Sequence, residues 1–240
     1  MIRKEQSTIK KFPKAIALLS TELVLLSLSF FISLALLFIV IRKIFYYKEY
    51  TIDNKIFDYL SLHITATNTA IMQFFSFLGS QQFLVPAWLL ICVYYLFIRK
   101  NKWYFIKLAT IGASNLLLML GLKFFFNRPR PLVPLLKELP GLSFPSGHSF
   151  MSLIFYGLVI YIIYRDVSNK WLKWFAIIML VIIIFLIGFS RVYLRVHYSS
   201  DVIAGFCFGI LSLMILTWML RQIEKFNAKK YPQVIKSLGH

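Results

Sequence analysis

Charged residues are scarce in this chain, and acidic residues are the scarcest. Only 15% of its 240 residues are charged, whereas 59% are hydrophobic. A soluble domain of this length carries more charge, so the composition argues against one. Nine acidic residues stand against 27 basic ones. Two-metal phosphoryl-transfer sites need several carboxylates close together, so this shortage disfavours that class of catalysis.

Cysteine is almost absent, with Cys92 and Cys207 as the two examples. Both lie inside apolar runs, where cysteine acts as a packing residue. Two isolated cysteines exclude a disulfide framework and the usual zinc spacings. The sequence therefore predicts no metal site and no cofactor.

Long apolar runs dominate the rest of the chain. Residues 23–41, 64–98 and 202–220 contain no charged side chain. About 20 apolar residues in a helix cross the roughly 30 Å hydrocarbon core of a bilayer. The sequence thus predicts an all-α, polytopic membrane protein of six transmembrane helices. The predicted spans are 21–45, 64–98, 103–126, 148–164, 171–189 and 201–220.

Two further features of the helix pattern are expected. Residues 51–63 mix apolar and charged positions at helical spacing, which predicts an amphipathic helix on the membrane surface. The second run is longer than one straight span requires, which predicts a bent or broken outer end. Its candidate break points are Gly79, the triplet 80–82 and Pro86.

The basic residues predict the domain layout and its orientation. The layout has a basic cytoplasmic segment at 1–20, a membrane domain at 21–220 and a basic cytoplasmic tail at 221–240. With both termini inside, the inner segments hold seventeen Lys and Arg residues and the outer segments ten, which agrees with the positive-inside rule. The net charge of +18 is then explained by topology and lipid headgroups rather than by nucleic acid. We expect an integral cell-membrane (inner-membrane) protein.

Three polar segments interrupt the apolar pattern, all on the predicted outer, periplasmic face. The first runs from Lys123 to Arg130 and Pro131. A proline disfavours helical conformation in the residue before it, so this stretch is extended and stiff. Stiffly held cations suit a phosphate site, although such residues also snorkel to headgroups without further function.

The second and third segments add two histidines. Pro145-Ser-Gly-His148 meets the start of a span, where Gly147 and helix amides suit a bound anion. Ser146 is a further donor, and His148 titrates in a range suited to proton transfer. Ser190-Arg191 is followed by His197 and Asp201, whose i, i+4 spacing places both on one helical face.

These residues predict phosphate chemistry without metal. A carboxylate on one imidazole nitrogen frees the other for attack on phosphorus, and Arg191 supplies a planar fork of donors. Of the nine acidic residues, only Glu138 and Asp201 are expected near the motifs. Fixed Lys and Arg side chains must then neutralise the developing charge.

The combined pattern resembles the signature of the type 2 phosphatidic acid phosphatase superfamily. It reads Lys-x6-Arg-Pro, then Pro-Ser-Gly-His, then Ser-Arg-x5-His-x3-Asp, with no position departing from it. The resemblance implies a six-helix membrane phosphatase acting on lipid phosphates. Substrates that it implies include undecaprenyl pyrophosphate, phosphatidylglycerol phosphate, phosphatidic acid and lipid A phosphates.

The resemblance also implies a role for each motif residue. His197 is the nucleophile that forms a phosphohistidine, and Asp201 orients it. His148 protonates the leaving lipid oxygen and then activates water. The phosphate is held by five residues, namely Lys123, Arg130, Ser146, Gly147 and Arg191.

Alternatives remain open at this point. One is a lipid phosphotransferase, and another is a non-enzymatic anionic-lipid transporter or binder. A vanadium haloperoxidase uses a similar cradle, but the membrane character argues against it. Arg128 and Arg195 add charge beside the core set, which leads to the hypothesis that they favour a diphosphate. The particular lipid and the oligomeric state are not encoded in any motif.

Overall fold

The fold is built entirely from helices in the part of the chain that the structure describes. The computed structural model describes residues 2–131, 134–135 and 141–230. The helices are α1 (Ile2–Ile41), α2 (Thr51–Ser61), α3 (Ala66–Leu78), α4 (Gln81–Val93), α5 (Lys102–Phe126), α6 (Gly147–Asp166), α7 (Lys170–Tyr193) and α8 (Ser199–Lys230). Single π-helical turns extend α1 and α4, at Arg42–Tyr46 and Tyr94–Ile98.

Six apolar helical segments match the predicted spans. They are Leu23–Tyr46, Ala66–Ile98, Lys102–Phe126, Gly147–Asp166, Lys170–Tyr193 and Ser199–Ile223. Large apolar side chains remain exposed along these helices, as expected for surfaces that face lipid rather than water. The prediction of a multi-pass, all-α membrane protein is confirmed, and α2 is the predicted amphipathic helix.

The second span is broken at two of its three candidate break points. The break lies at Gly79 and Ser80, between α3 and α4. The third candidate, Pro86, lies inside α4 and does not break the helix. Proline inside a membrane helix is tolerated where neighbouring groups satisfy the freed backbone.

The core of the bundle is formed by α6, α7 and α8. Helix α6 packs against both α7 and α8, while α1 covers α8 and α3 covers α7. Buried residues at this centre include Phe150, Ile154 and Ile187. The centre therefore joins the starts of α6 and α8 and the end of α7, which carry the second and third polar motifs.

A glycine sets the approach of α8 to the start of α6. A Cβ atom on Gly205 would lie 2.7 Å from the backbone oxygen of Ser146 and 3.1 Å from the Cβ of Ser149. Backbone atoms at that distance must move if a side chain is added. The sequence Pro-Ser-Gly-His is thus held against α8 by direct backbone packing.

Replacing Gly205 by alanine is expected to lower both stability and activity. Alanine is favoured over glycine in a helix by roughly 0.5–1 kcal/mol, but overpacking a tight contact costs about 1–3 kcal/mol, so the clash dominates. Thermal unfolding in detergent and phosphate release would be measured together. Gly121→Ala is the matched control, because nothing lies within 4 Å of the place that a Cβ atom would occupy there. A Gly205→Ala variant as stable and active as Gly121→Ala would contradict this packing argument.

Candidate active site

The three polar motifs meet at one end of the bundle, around His197. This histidine lies in the short connection between α7 and α8 and is 1% exposed. Its backbone N–H donates to the carbonyl of Arg191, 3.2 Å away, so the connection folds back onto the end of α7. The segment from Ser190 to Asp201 is therefore compact, and its buried polar side chains share one small volume.

Asp201 lies in the first turn of α8 and beside His197, although that histidine precedes the helix and does not share a helical face with it. Its Oδ2 atom is 3.5 Å from the Nδ1 atom of His197. The same oxygen accepts from the backbone N–H of Tyr198 at 2.9 Å, a contact that also caps the start of α8. The carboxylate thus faces one ring nitrogen and leaves Nε2 of the histidine for another partner.

Ser143 also contacts this pair, and sequence reasoning missed it. Its hydroxyl donates to Oδ2 of Asp201 and lies 3.4 Å from Nδ1 of His197. Its backbone N–H donates to the carbonyl of Arg128 at 2.7 Å. A serine two residues before a proline carries no recognisable signal, so only the fold could reveal this contact.

The predicted cations of the first motif are anchored on backbone carbonyls. Lys123, in the last turn of α5, donates from Nζ to the carbonyl of Leu142 at 3.0 Å. Arg130 donates from Nη1 to the carbonyl of Val196 at 3.2 Å, and from Nε to that of Gly141 at 3.3 Å. Each side chain carries more N–H groups than these contacts use, so each retains donors for a bound anion.

The second motif forms the start of α6. Ser146 is the N-cap residue, and its hydroxyl accepts from the N–H and the hydroxyl of Ser149, at 3.4 and 3.0 Å. Its own proton therefore remains for another acceptor. A Cβ atom on Gly147 would lie 3.8 Å from Cε of Lys123, which places the lysine stem over this helix start.

His148 follows in the first turn of α6 and lies near the break in the second span. A Cβ atom on Gly79 would be 3.4 Å from Cδ2 of His148 and 2.4 Å from Ile187. A Cβ atom at position 79 would require the Ile187 side chain to move, whereas its distance from the histidine ring is an ordinary van der Waals contact. The break between α3 and α4 therefore packs closely against α7 beside this imidazole.

Arg191 is the most deeply buried of the predicted phosphate-binding cations, with 2% of its surface exposed. Its Nη1 donates to the hydroxyl of Ser76 on α3. Its buried Nε has no hydrogen-bond partner among the described residues. A buried donor without a partner destabilises the folded protein, so an anionic acceptor bound at this guanidinium would be favourable. Ser76 is a second contact that the sequence did not reveal.

Burial and charge keep the His197 imidazole neutral. Burial, together with the charges of Arg191 and Arg130, lowers its pKa to about 4, although Asp201 opposes the shift. Burial disfavours the charged form of an imidazole, and nearby cations disfavour it as well. Lys123 and His148 lie within electrostatic range of the same two arginines. A neutral imidazole beside fixed cations can attack phosphorus at neutral pH.

Two arginines that the sequence places beside the phosphate-binding set have partners within the protein. Arg128, which is predicted to extend the anion site, instead binds the carboxylates of Asp53 and Asp201 through its guanidinium. Arg195 donates from Nη2 to the carbonyl of Phe57 on α2 at 3.4 Å. Both side chains have protein partners, and the hypothesis that they select a diphosphate stays a prediction.

The expected distribution of carboxylates also needs correction. Asp53, on α2, is not among the carboxylates predicted near the motifs, yet it lies 3.1 Å from Arg128. Glu138 lies outside the described residues. Among the described residues, no group of three or more His, Cys, Asp or Glu side chains could hold a metal ion. Asp53 and Asp201 instead accept hydrogen bonds from protein donors.

The architecture defines an all-helical, multi-pass membrane protein with a cluster of cations and two histidines at one end of its bundle. The chain belongs to the PAP2 superfamily, whose model matches residues 103–225. That segment contains all three motifs.

Individual relatives agree with this assignment. Phosphatidylglycerophosphatase B of Bacillus subtilis (strain 168) is 34% identical over 155 residues, which are 63% of this chain and 75% of that protein. A protein named bacitracin transport permease protein BcrC, from Bacillus licheniformis, is 30% identical over 105 residues, 40% of this chain and 47% of that one. The crystal structure of a transmembrane PAP2 type phosphatidylglycerolphosphate phosphatase from Bacillus subtilis superposes with a TM-score of 0.70 at 28% identity. The superposition covers 80% of this chain and 96% of that one.

Proposed function

We propose that this protein hydrolyses the phosphate group of a membrane lipid through a phosphohistidine on His197. Membership of the PAP2 superfamily and similarity to phosphatidylglycerophosphatase B support a hydrolase acting on lipid phosphate. The observation that carries the mechanism is the buried, neutral His197, which faces Asp201 on one side and has the charges of Arg191 and Arg130 around it.

In the first step, Nε2 of His197 attacks the phosphorus atom of the lipid phosphate. Asp201 faces Nδ1, which keeps the proton on that nitrogen and the lone pair on Nε2. The bond from phosphorus to the lipid oxygen breaks, and His148 gives that oxygen a proton. The lipid then leaves as an alcohol, and the phosphoryl group stays on His197.

In the second step, His148 takes a proton from water, and the resulting hydroxide displaces His197 from phosphorus. Inorganic phosphate leaves, and both histidines return to their starting states. Throughout, Lys123, Arg130 and Arg191 neutralise the phosphoryl oxygens, with Ser146 and Gly147 as further donors. Donors that are already in place before the charge develops usually make the largest single contribution to such catalysis.

We further propose that residues 21–220 are the catalytic membrane domain, with both termini cytoplasmic and the site on the outer face. The distribution of Lys and Arg residues supports this orientation. The substrate would then be a lipid phosphate of the outer leaflet, reached from the membrane plane. Undecaprenyl pyrophosphate, phosphatidylglycerol phosphate, phosphatidic acid and lipid A phosphates form the panel to test.

The proposal is tested by phosphate release from these four lipids, each presented in detergent micelles to the purified protein. We expect turnover of at least one lipid, undiminished by EDTA, because fixed cations replace a metal. Strong inhibition by EDTA would contradict the metal-free mechanism. Transfer of the phosphate to an alcohol in place of water would favour a phosphotransferase. Lipid binding without any turnover would favour a transporter, as the name of the Bacillus licheniformis relative suggests.

A further inference from the structure

Asp53 and Arg128, neither of them a signature residue, form a buried chain of hydrogen bonds that ends at Asp201. Nη2 of Arg128 lies 3.1 Å from Oδ2 of Asp53, and its Nη1 lies 2.5 Å from Oδ1 of Asp201. Both Asp53 and Arg128 are almost fully buried. A guanidinium held between two carboxylates is fixed in position at both ends.

Asp53 joins the amphipathic helix α2 to the start of α8. Its Oδ1 accepts from the hydroxyl of Ser199 at 2.6 Å and from the backbone N–H of Ser200 at 3.0 Å. Its Oδ2 accepts from the hydroxyl of Ser200 at 2.6 Å. A carboxylate at this end of a helix also complements the helix dipole. Asp53 therefore fixes the turn from which Asp201 projects.

The two oxygens of Asp201 have different partners. Oδ1 faces Arg128, whereas Oδ2 faces the Nδ1 atom of His197 and accepts from Ser143. The contact to Arg128 thus selects one rotation of the carboxylate and leaves the other oxygen for the histidine. In addition, the Arg128 guanidinium lies 4.0 Å from the centre of the Tyr198 ring, next to His197 in sequence.

We propose that Asp53 and Arg128 are positioning residues, which orient Asp201 and, through it, the His197 imidazole. The inference rests on the proposed function, because it takes His197 as the nucleophile. Neither residue is assigned contact with the substrate. Their role is to hold the carboxylate so that the proton stays on Nδ1 and the lone pair on Nε2.

The kinetic test compares Arg128→Ala, Arg128→Lys and Asp53→Asn with one matched control. Asp58→Asn removes an exposed carboxylate of the same helix α2. We expect kcat to fall about 10- to 100-fold in Arg128→Ala and Asp53→Asn, as for other residues that orient a reacting group. KM should stay unchanged, Arg128→Lys should recover part of the loss, and the Asp58→Asn control should retain wild-type kcat. An unchanged kcat in both variants would overturn the proposal.

A double-mutant cycle separates positioning from general destabilisation. If Arg128 acts through Asp201, adding Arg128→Ala to Asp201→Asn should lower kcat by less than about 3-fold, because coupled residues are not additive. Equal losses in the wild-type and Asp201→Asn backgrounds would overturn the inference. Thermal unfolding of every variant is measured beside kcat, so that a loss of folded protein is not read as a loss of orientation.

A third readout does not need turnover. Proteins labelled with ¹⁵N-histidine report the tautomer of His197, whose signals are identified by their loss in His197→Gln. The charged or titratable groups that face this ring are Asp201, Arg191, Arg130 and His148. In Arg128→Ala, the Asp201 charge is no longer neutralised, so His197 should protonate at a higher pH and lose its fixed tautomer.

The outcomes distinguish the two proposals. If the wild type releases no phosphate but the His197 signals change in Arg128→Ala and Asp53→Asn, the proposed function fails and the positioning role stands. Suppose instead that the wild type is active and His197→Gln is inactive, but Arg128→Ala changes neither kcat nor the His197 signals. The positioning role is then wrong, and the proposed function stands. Equal changes in the Asp58→Asn control would also overturn the positioning role.

Discussion

Removal of the His197 imidazole is expected to abolish phosphate release from every lipid that the wild type hydrolyses. We expect kcat to fall by at least about 10⁴-fold in His197→Ala, the scale seen when a covalent nucleophile is removed. His197→Gln is tested beside it, because glutamine fills more of the buried space and limits the cavity. Binding of the lipid headgroup should persist in both variants, since the cations are untouched. Retained turnover would exclude His197 as the nucleophile.

A trapping experiment identifies the intermediate directly. After rapid denaturation in alkaline detergent, the wild-type protein should carry label from a ³²P-labelled lipid phosphate. That label should be labile to acid, as expected for a phosphoramidate. His197→Gln should carry none. His148→Ala should retain label from an aryl phosphate, whose leaving group needs no proton, because hydrolysis of the intermediate is then impaired. His63→Gln is the control, since His63 is exposed and contacts the Tyr59 carbonyl.

Replacing Arg191 by lysine is expected to produce the second largest effect. Lysine keeps the charge but loses the planar fork, including the buried Nε that has no partner among the described residues. Loss of one donor to a developing charge lowers kcat by about 10²- to 10³-fold. We therefore expect kcat/KM to fall on that scale in Arg191→Lys and somewhat less in Ser76→Ala, which only frees the guanidinium to move.

Arg195→Lys provides the matched control for this prediction. Arg195 also has a buried Nε without a partner in the described part of the chain, but its guanidinium contacts α2 rather than the motifs. Steady-state kinetics on the preferred lipid and thermal unfolding in detergent would be measured for all three variants. If Arg191→Lys and Arg195→Lys lose the same modest amount of activity, the phosphate is held elsewhere.

Much of the architecture was predictable because a membrane span is a local property of the sequence. Uncharged runs such as 202–220 have the length and composition that a bilayer requires, and the helices confirm these spans. The motif residues could be singled out for a related reason, since charge at the edge of an apolar helix is expensive unless it has a function. Both arguments use only residues that are close together in the sequence. The chemical roles assigned to the motifs stay predictions.

The missed contacts come from single residues distant in sequence. Ser76 is separated from Arg191 by 115 residues, and Asp53 from Arg128 by 75. A lone serine in an apolar helix, or an aspartate in an amphipathic one, has no spacing that marks it as part of a site. The carboxylate partners of Arg128 were not predicted, because the sequence does not distinguish a charged side chain that binds substrate from one that binds a carboxylate.

The contacts of Asp53 and Ser76 also indicate which segments a shortened version of this protein must keep. The PAP2 family model begins at residue 103, yet Arg128 and Arg191 each have an oxygen acceptor that precedes that point. A fragment cut there would leave two guanidinium groups, each short of one acceptor. Chimeras between relatives should therefore exchange the segment before residue 103 together with the motif-bearing segment that it supports.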